Sequence, residues 1–339
     1  MFKKILFTIL IIADIIAVST SLILRYLAVN THTDPLYFPK LFFQIKKSPT
    51  LSPGFNFMIL GLDPRNDSLE KTDTTDTIIL GNLSPNFKVN LIPLPRDLWD
   101  YPLNTKINQI YPLSIGKTGQ YSYIQSQYQQ LTGEPIDRTL IITTQNLIDL
   151  VKIIGGVDVN LDKGFTDTQY PNPAYIASPS AKIPIYVTVS YPAGLNHLDA
   201  ANIEAFVRSR KSAQTAAQGG TDIGRIERQQ LLIDDLLNKL KSYDYLHHPQ
   251  MLFNLYHFFH TDLQTNFTDS DLISLGLKSY RHLRQINLNK IIMTSGEDPK
   301  DDLIYHPKTF INAQWVFIPQ DQDYHRFQTF IKNSIQGNQ

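Results

Sequence analysis

Hydrophobic and polar positions along this chain fall into blocks whose period changes several times. The first block is an apolar run over residues 5–24, opened by Lys3 and Lys4, in which Asp14 is the sole charge. At ~1.5 Å per residue, a helix of this length crosses ~30 Å of hydrocarbon. The many apolar residues outweigh the roughly 2.5–3.5 kcal/mol that a central aspartate costs on insertion. A cleaved signal sequence has a shorter apolar core, about 7–15 residues, so the run predicts an uncleaved anchor. Lys3 and Lys4 favour a cytoplasmic start with the bulk of the chain on the far side, although Arg25, Lys40, Lys46 and Lys47 weaken that charge bias. Residues 26–53 carry Pro35, Pro39 and Pro53 and read as a polar juxtamembrane spacer with little regular structure.

From residue 54 the blocks shorten. Residues 55–62, 77–83 and 88–94 are strand-like apolar runs, the last two joined by a turn signal at Ser84-Pro85-Asn86. Residues 121–131, closed by Gly133, suit a helix, 139–142 a strand, and 145–154 a helix ended by Gly155-Gly156. A strand resumes over 157–161. Residues 163–184, rich in Pro, Tyr, Ser and Asn, predict an irregular loop, followed by a strand at 185–189 and a helix over 198–210. Asp222 then suits the N-cap of a helix running to about 241, with Ile226, Ile233, Leu236, Leu237 and Leu240 at helical spacing. Helical patterns near 249–259 and 269–280, strands near 289–293 and 316–318, and a helix from about 324 complete the chain. Strand–helix–strand alternation indicates a layered α/β domain. With no repeat and no second boundary, the organisation predicted is an anchor (1–25), a spacer (26–53) and one domain (54–336).

Composition narrows the function classes. The chain has 339 residues and zero formal net charge, which argues against a general nucleic-acid binder. It has no cysteine, so disulfides, thiolate zinc sites and cysteine nucleophiles are excluded. Against this neutral background, four of eleven arginines crowd into one window: Arg208, Arg210, Arg225 and Arg228. A guanidinium offers a planar fork of donors that matches phosphate or carboxylate oxygens. Asp222, Arg225 and Gln229 stand at i, i+3 and i+7, within about a 60° arc of a helix face. In the first helical turns they also meet the positive end of the macrodipole. The spacing alone fits solvated helix charges equally well.

A second set lies at the ends of the first strands. Asp63 follows the first strand and Asp76 opens the second; carboxylates at neighbouring strand ends can converge on one divalent cation, and hard oxygen ligands suit Mg²⁺. Arg96 and Asp97 end the third strand, with Lys106 and Asn108 shortly after. Three other signals carry little weight. Gly116-Lys117-Thr118 lacks the earlier glycine of a P-loop, His247, His248, His257 and His260 fit no metalloprotease spacing, and no Gly-x-Ser-x-Gly elbow is present.

Taken in order, Gly61-Leu62-Asp63, Thr74-Thr75-Asp76-Thr77, Pro95-Arg96-Asp97, Lys106-Ile107-Asn108, Gly155-Gly156-Val157-Asp158-Val159, Gly194-Leu195-Asn196, Phe206-Val207-Arg208-Ser209-Arg210 and the segment from Asp222 to Gln229 resemble the LytR–CpsA–Psr family. Each segment alone is weak, but their order and spacing agree from about residue 55 to 335. The resemblance implies a three-layer α/β/α sandwich with a central mixed sheet, preceded by one N-terminal transmembrane helix and placed outside the cytoplasm at the cell membrane. It implies a phosphotransferase that attaches an anionic glycopolymer, carried on polyprenyl pyrophosphate in the membrane, to peptidoglycan. On the matching motifs, Asp63 and Asp76 would hold Mg²⁺ (or Mn²⁺). Arg96, Arg208, Arg210, Arg225 and Gln229 would contact the phosphates, and Asp222 would orient the arginines or assist proton transfer. Arg65, Lys106, Asn108 and Arg228 would add substrate contacts. One position departs: the family often has arginine two residues before the second aspartate, where this chain has Thr74, so that contact is missing or supplied by Arg65. Two alternatives stay open, a pyrophosphatase acting on polyprenyl-pyrophosphate lipids and a non-catalytic polyprenyl-phosphate or wall-binding protein.

Overall fold

The computed structural model describes residues 2–47, 54–62, 74–84, 88–209, 222–241, 249–280, 288–291, 293, 295–296, 302–320 and 324–337, with the backbone alone over 2–14, 44–47 and 222–227 among others. Its centre is a six-stranded mixed sheet in the order Gln264–Thr265, Arg138–Thr143, Phe55–Leu62, Thr75–Leu83, Val89–Pro93, Leu288–Lys290. Arg138–Thr143 runs parallel to Phe55–Leu62 and Leu288–Lys290 parallel to Val89–Pro93, while the other neighbours are antiparallel. Period-two alternation sorts the side chains. Met58, Leu60, Leu62, Ile78, Leu80 and Ile92 bury on one face under helices Gln120–Thr132 and His325–Gln336, which contribute Ile124, Tyr128, Phe327 and Ile331. On the other face the Phe57 ring crosses Gly81 so closely that a Cβ there would lie 2.3 Å from it.

Register is pinned by polar groups as well. Asn82 donates to Asn56 (2.7 Å), Asn90 to Asn82 (3.1 Å) and Asn289 to Asn90 (3.1 Å), so one chain of amides crosses four neighbouring strands. A one-residue slip would break every link and leave buried amides unpaired. Asn56, Asn82 and Asn90 are buried residues with no turn role, and the sequence pattern did not mark them.

A second cluster forms where helix Thr144–Ile153, strands Val157–Leu161 and Gly194–Leu198, helix Ile203–Arg208 and helix Asp222–Lys241 pack around Val151, Val159, Leu198, Phe206 and Leu232. Thr143 caps Thr144–Ile153 through a reciprocal box with Asn146. Gly155 and Gly156 both take positive φ at its end, which turns the chain into the next strand.

Three expectations are corrected. The spacer is not irregular: the first helix runs Phe2–Thr31 and a second runs Tyr37–Lys47. These helices gain structure by docking: Tyr26 meets Phe253 edge-on at 5.4 Å and Phe38 meets Tyr256 at 6.0 Å. Tyr37 donates to Asp269, which His260 also contacts. Residues 163–184 are not one loop, because Phe165–Pro171 pairs antiparallel with Tyr186–Tyr191 around a bulge between Asp167 and Tyr170. Polar residues on this strand face solvent, which hid the alternation. The helix expected over 198–210 is only Ile203–Arg208, since Leu198 is drawn into the antiparallel pair with Val157.

Helix Phe2–Thr31 takes in the whole apolar run, and Ile15, Ile16, Val18, Leu22 and Ile23 on it are exposed. Among the described residues no helix is long and apolar enough to cross a membrane.

A buried ion pair closes the edge of the sheet. Arg138 donates to Asp271 at 2.7 Å; Thr268 Oγ1 caps helix Asp269–Tyr280 by accepting from the Asp271 N–H, and Thr268 donates back to the same carboxylate. Burial pushes the Asp271 carboxyl up, but the hydrogen bonds from Arg138 and Thr268 outweigh it and hold its pKa below the usual value. A lowered folded-state pKa stabilises above the unfolded value of about 4 and is lost as pH falls through the folded value. Asp271→Asn is therefore expected to cost about 1–3 kcal/mol near neutrality. Urea midpoints of the two proteins should converge below about pH 4; a gap that stays constant down to pH 2 would exclude this pair as its source.

Candidate functional site

The sheet's parallel strands set the position of the site. Phe55–Leu62 ends opposite Thr75, where Thr75–Leu83 begins, and Val89–Pro93 ends opposite Ile79. Asp76 and the Pro95-Arg96-Asp97 turn therefore meet at the carboxyl ends of parallel strands, where open α/β sheets bind ligands. Arg96 Nη1 donates to Asp76 Oδ1, and Arg96 Nε lies 3.5 Å from Asp97 Oδ2. Lys106 Nζ donates to Asp97 Oδ1 at 2.6 Å. Lys106 stands on the short strand Thr105–Lys106, paired with Trp99–Asp100, so a tight hairpin carries it back over the Arg96 turn. Asn108 contributes backbone: its N–H donates to the Arg96 carbonyl (3.3 Å) and its carbonyl accepts from Thr75 Oγ1 (3.3 Å).

Helix Asp222–Lys241 approaches from the other side. Gln229 Oε1 accepts from Thr77 Oγ1 at 3.0 Å, while Gln229 Nε2 reaches the Val207 carbonyl at 3.5 Å. One amide thus links the sheet to the last turn of helix Ile203–Arg208. Asp76, Thr77, Arg96, Asp97, Gln229 and Phe317 line a cavity of ≈ 70 Å³ at this junction. Alternating carboxylate, guanidinium, carboxylate and ammonium groups fix the Arg96 fork from both sides, which pre-organises it for an incoming anion at little rotamer entropy.

The arginine window divides. Arg208 pairs with Glu204 one turn back at 2.5 Å and is partly exposed. Arg228 is buried: its guanidinium donates to the Ser209 carbonyl and lies 4.3 Å above the Phe165 ring. It clamps the segment that follows Arg208 instead of facing the cavity, a placement its charge alone did not suggest. Asp222 and Arg225 lie on the first turns of the helix that carries Gln229. Asp63, Arg65 and Arg210 lie outside the described residues. The structure therefore pairs Asp76 with Arg96 directly, brings Gln229 to the same cavity through Thr77 and Lys106 through Asp97, and holds Arg228 against Ser209 and Phe165.

Asp97 as a shared acceptor and Thr77 as the Gln229 partner were not singled out from the sequence. Asp97 had a signal in its adjacency to Arg96. Phe317 had none, since it arrives from more than 200 positions along the chain, bonded through its N–H to the Asp97 carbonyl at 2.9 Å.

Among the described residues no group of three His, Cys, Asp or Glu side chains is placed to hold a metal. Magnesium commonly takes only one or two carboxylates and completes its shell with water and substrate phosphate. Of the carboxylate pair expected to hold it, Asp76 stands at the cavity, while Asp63 lies outside the described residues.

Comparison with known proteins supplies a second line of information. The LytR_cpsA_psr family model matches residues 39–333. A curated relative from Enterococcus faecalis, named polyisoprenyl-teichoic acid–peptidoglycan teichoic acid transferase TagU, is 24% identical over 193 residues, 56% of this chain and 54% of that protein. The match thus spans about half the relative's length. Among solved structures, a protein described as a transcriptional regulator from E. faecalis superposes with a TM-score of 0.57 at 19% identity, covering 84% of this chain and 88% of that one. TagV of B. subtilis superposes with a TM-score of 0.56 at 16% identity over 84% of this chain and 99% of its own. At these identities the superpositions establish a shared fold.

Proposed function

The chain belongs to the LytR–CpsA–Psr family, and on that premise we propose that it transfers an anionic glycopolymer from a polyprenyl-pyrophosphate carrier to peptidoglycan. The observation that carries this reading is the Asp76–Arg96–Asp97 array facing Gln229 across one small cavity at the strand ends. The name of the E. faecalis relative, a teichoic acid transferase, points the same way.

In the proposed reaction a peptidoglycan hydroxyl attacks the phosphorus that bears the glycopolymer. The new P–O bond forms as the pyrophosphate P–O–P bond breaks, polyprenyl phosphate leaves, and the hydroxyl proton passes to a base, for which the family resemblance assigns Asp222. Charge builds on non-bridging oxygens and on the leaving phosphate, so catalysis consists of positioning and charge neutralisation. Arg96 is already oriented and desolvated on one side by its carboxylate neighbours. Gln229 fixes the distance between the sheet and the helix end bearing Arg208. Asp76, with Asp63 from the sequence pattern, would hold Mg²⁺, which would supply further charge neutralisation on the pyrophosphate. The apolar run over residues 5–24 is proposed, from the sequence pattern, to keep the domain beside its lipid substrate outside the cytoplasm.

The test incubates purified protein with a polyprenyl-pyrophosphoryl saccharide, with and without a peptidoglycan acceptor. Transfer to the acceptor supports the proposal. Release of saccharide phosphate to water alone would make the chain a pyrophosphatase, and tight binding without product a lipid-retaining protein; either replaces it. Asp76→Asn is expected to raise the Mg²⁺ concentration for half-maximal activity about tenfold or more, the scale on which removing groups around a metal acts. An unchanged metal titration would remove Asp76 from the ligand set.

A further inference from the structure

Beside the anion cavity stands a group of aromatic rings that phosphate chemistry does not require. Phe317 is at once a wall of the cavity and the inner member of this group. The His306 ring stacks on Phe317 at 3.8 Å between centroids and meets Trp315, tilted, at 3.3 Å. Trp315 and Phe317 are themselves 5.3 Å apart. The outermost ring, Trp315, is 51% exposed, and nearby Phe310 is 70% exposed.

The backbone presents these rings deliberately. Ile311 and Gln314 exchange hydrogen bonds (3.2 and 2.8 Å) around a two-residue turn in which Asn312 and Ala313 both have positive φ, 49° and 59°. That is the geometry of a primed hairpin turn, and two non-glycine residues in the left-handed region cost roughly 1–2 kcal/mol each. Ile311 packs inward against the cluster of Trp99, Val316 and Ile318. Phe310 and Trp315, which flank the Ile311–Gln314 pair, are left outward. His306 is oriented by a 2.7 Å contact from Nδ1 to the Val316 carbonyl.

We propose that Trp315, Phe310 and the His306–Phe317 stack form a ledge for the first sugar of the donor, the saccharide joined directly to the bound pyrophosphate. The inference rests on the glycopolymer-transfer reading above and deepens it. An aromatic face carries partial negative charge and offers a flat apolar surface, which matches the polarised C–H groups on one face of a pyranose. Phe317 makes the ledge continuous with the cavity, so a group covalently attached to a phosphate seated at Arg96 arrives there first. A free acceptor glycan has no such tether.

The test uses two soluble probes, farnesyl pyrophosphate and farnesyl-pyrophosphoryl-N-acetylglucosamine, with affinity read by calorimetry on the full chain. Trp315→Ala is expected to weaken the sugar-bearing probe about tenfold and to leave the sugar-free one unchanged, with Trp315→Phe restoring most of the loss. Trp99 is buried, so acrylamide quenching of tryptophan emission reports chiefly on Trp315, and only the sugar-bearing probe should protect it. Equal losses for both probes, or no loss for either, overturn the ledge. So does protection by a free N-acetylglucosamine oligomer but not by the donor probe, which would assign the surface to the acceptor. Arg96→Ala separates the two readings, because it should weaken both probes alike. If it weakens neither, the cavity assignment fails, whatever Trp315 does.

Discussion

Replacing Arg96 with alanine is expected to lower transfer turnover by about 10²–10³-fold, the loss seen when one pre-organised charge-stabilising donor is removed. Arg96 is held by Asp76 on one nitrogen and flanked by Asp97 at another, with Lys106 braced on the far oxygen of Asp97. No other described cation lines the cavity. Without the guanidinium, the Asp76 carboxylate faces the incoming diphosphate without the cation that holds it, so repulsion adds to the lost stabilisation. Arg96→Lys should recover only part of the rate, since a point charge cannot bond Asp76 and a phosphate in one plane. Single-turnover rates with a saturating lipid-linked donor are the measurement. Turnover within a few-fold of wild type would remove Arg96 from the phosphate site and, with it, the geometric support for the proposed function.

The second large effect is on stability. Phe206 is fully buried and packs against Tyr191 (5.2 Å, edge-on) and Phe165 (5.9 Å), which stack on each other at 5.0 Å. Phe206→Ala is expected to destabilise the domain by about 3–5 kcal/mol, through lost burial and an unfilled cavity. Consequences for the site follow from the connections: Phe165 carries the Arg228 guanidinium on its face, and Arg228 holds the Ser209 carbonyl next to Arg208. Phe206→Leu, which keeps most of the volume, should lose much less. Urea denaturation of both variants decides the matter. A loss under about 1 kcal/mol for alanine would mean the cluster can collapse around the gap.

The helices and central strands were legible because their periodicity is strong. Strand Phe55–Leu62 and helix Gln120–Thr132 fall within a residue or two of where apolar spacing and a terminal glycine put them. Elements whose pattern depends on a partner were not legible. Phe165–Pro171 reads as a loop until Tyr186–Tyr191 supplies its ladder, and Leu198 reads as helix until Val157 claims it. The same division runs through the site. The motif Phe206-Val207-Arg208-Ser209-Arg210 marks a functional segment, yet charge alone cannot tell that Arg228 serves as a clamp while Arg96 fronts the cavity.

By itself, the sequence determined the layered α/β class, the family and most of the residues at issue, since period, glycine placement and motif order are local properties of the chain. Tertiary structure alone decided which of those residues meet. Asp76, Arg96, Gln229 and Phe317 come from two strand ends, a helix and a distant C-terminal hairpin. Only strand register and helix packing, set by burial and by the asparagine chain across the sheet, bring them around one cavity.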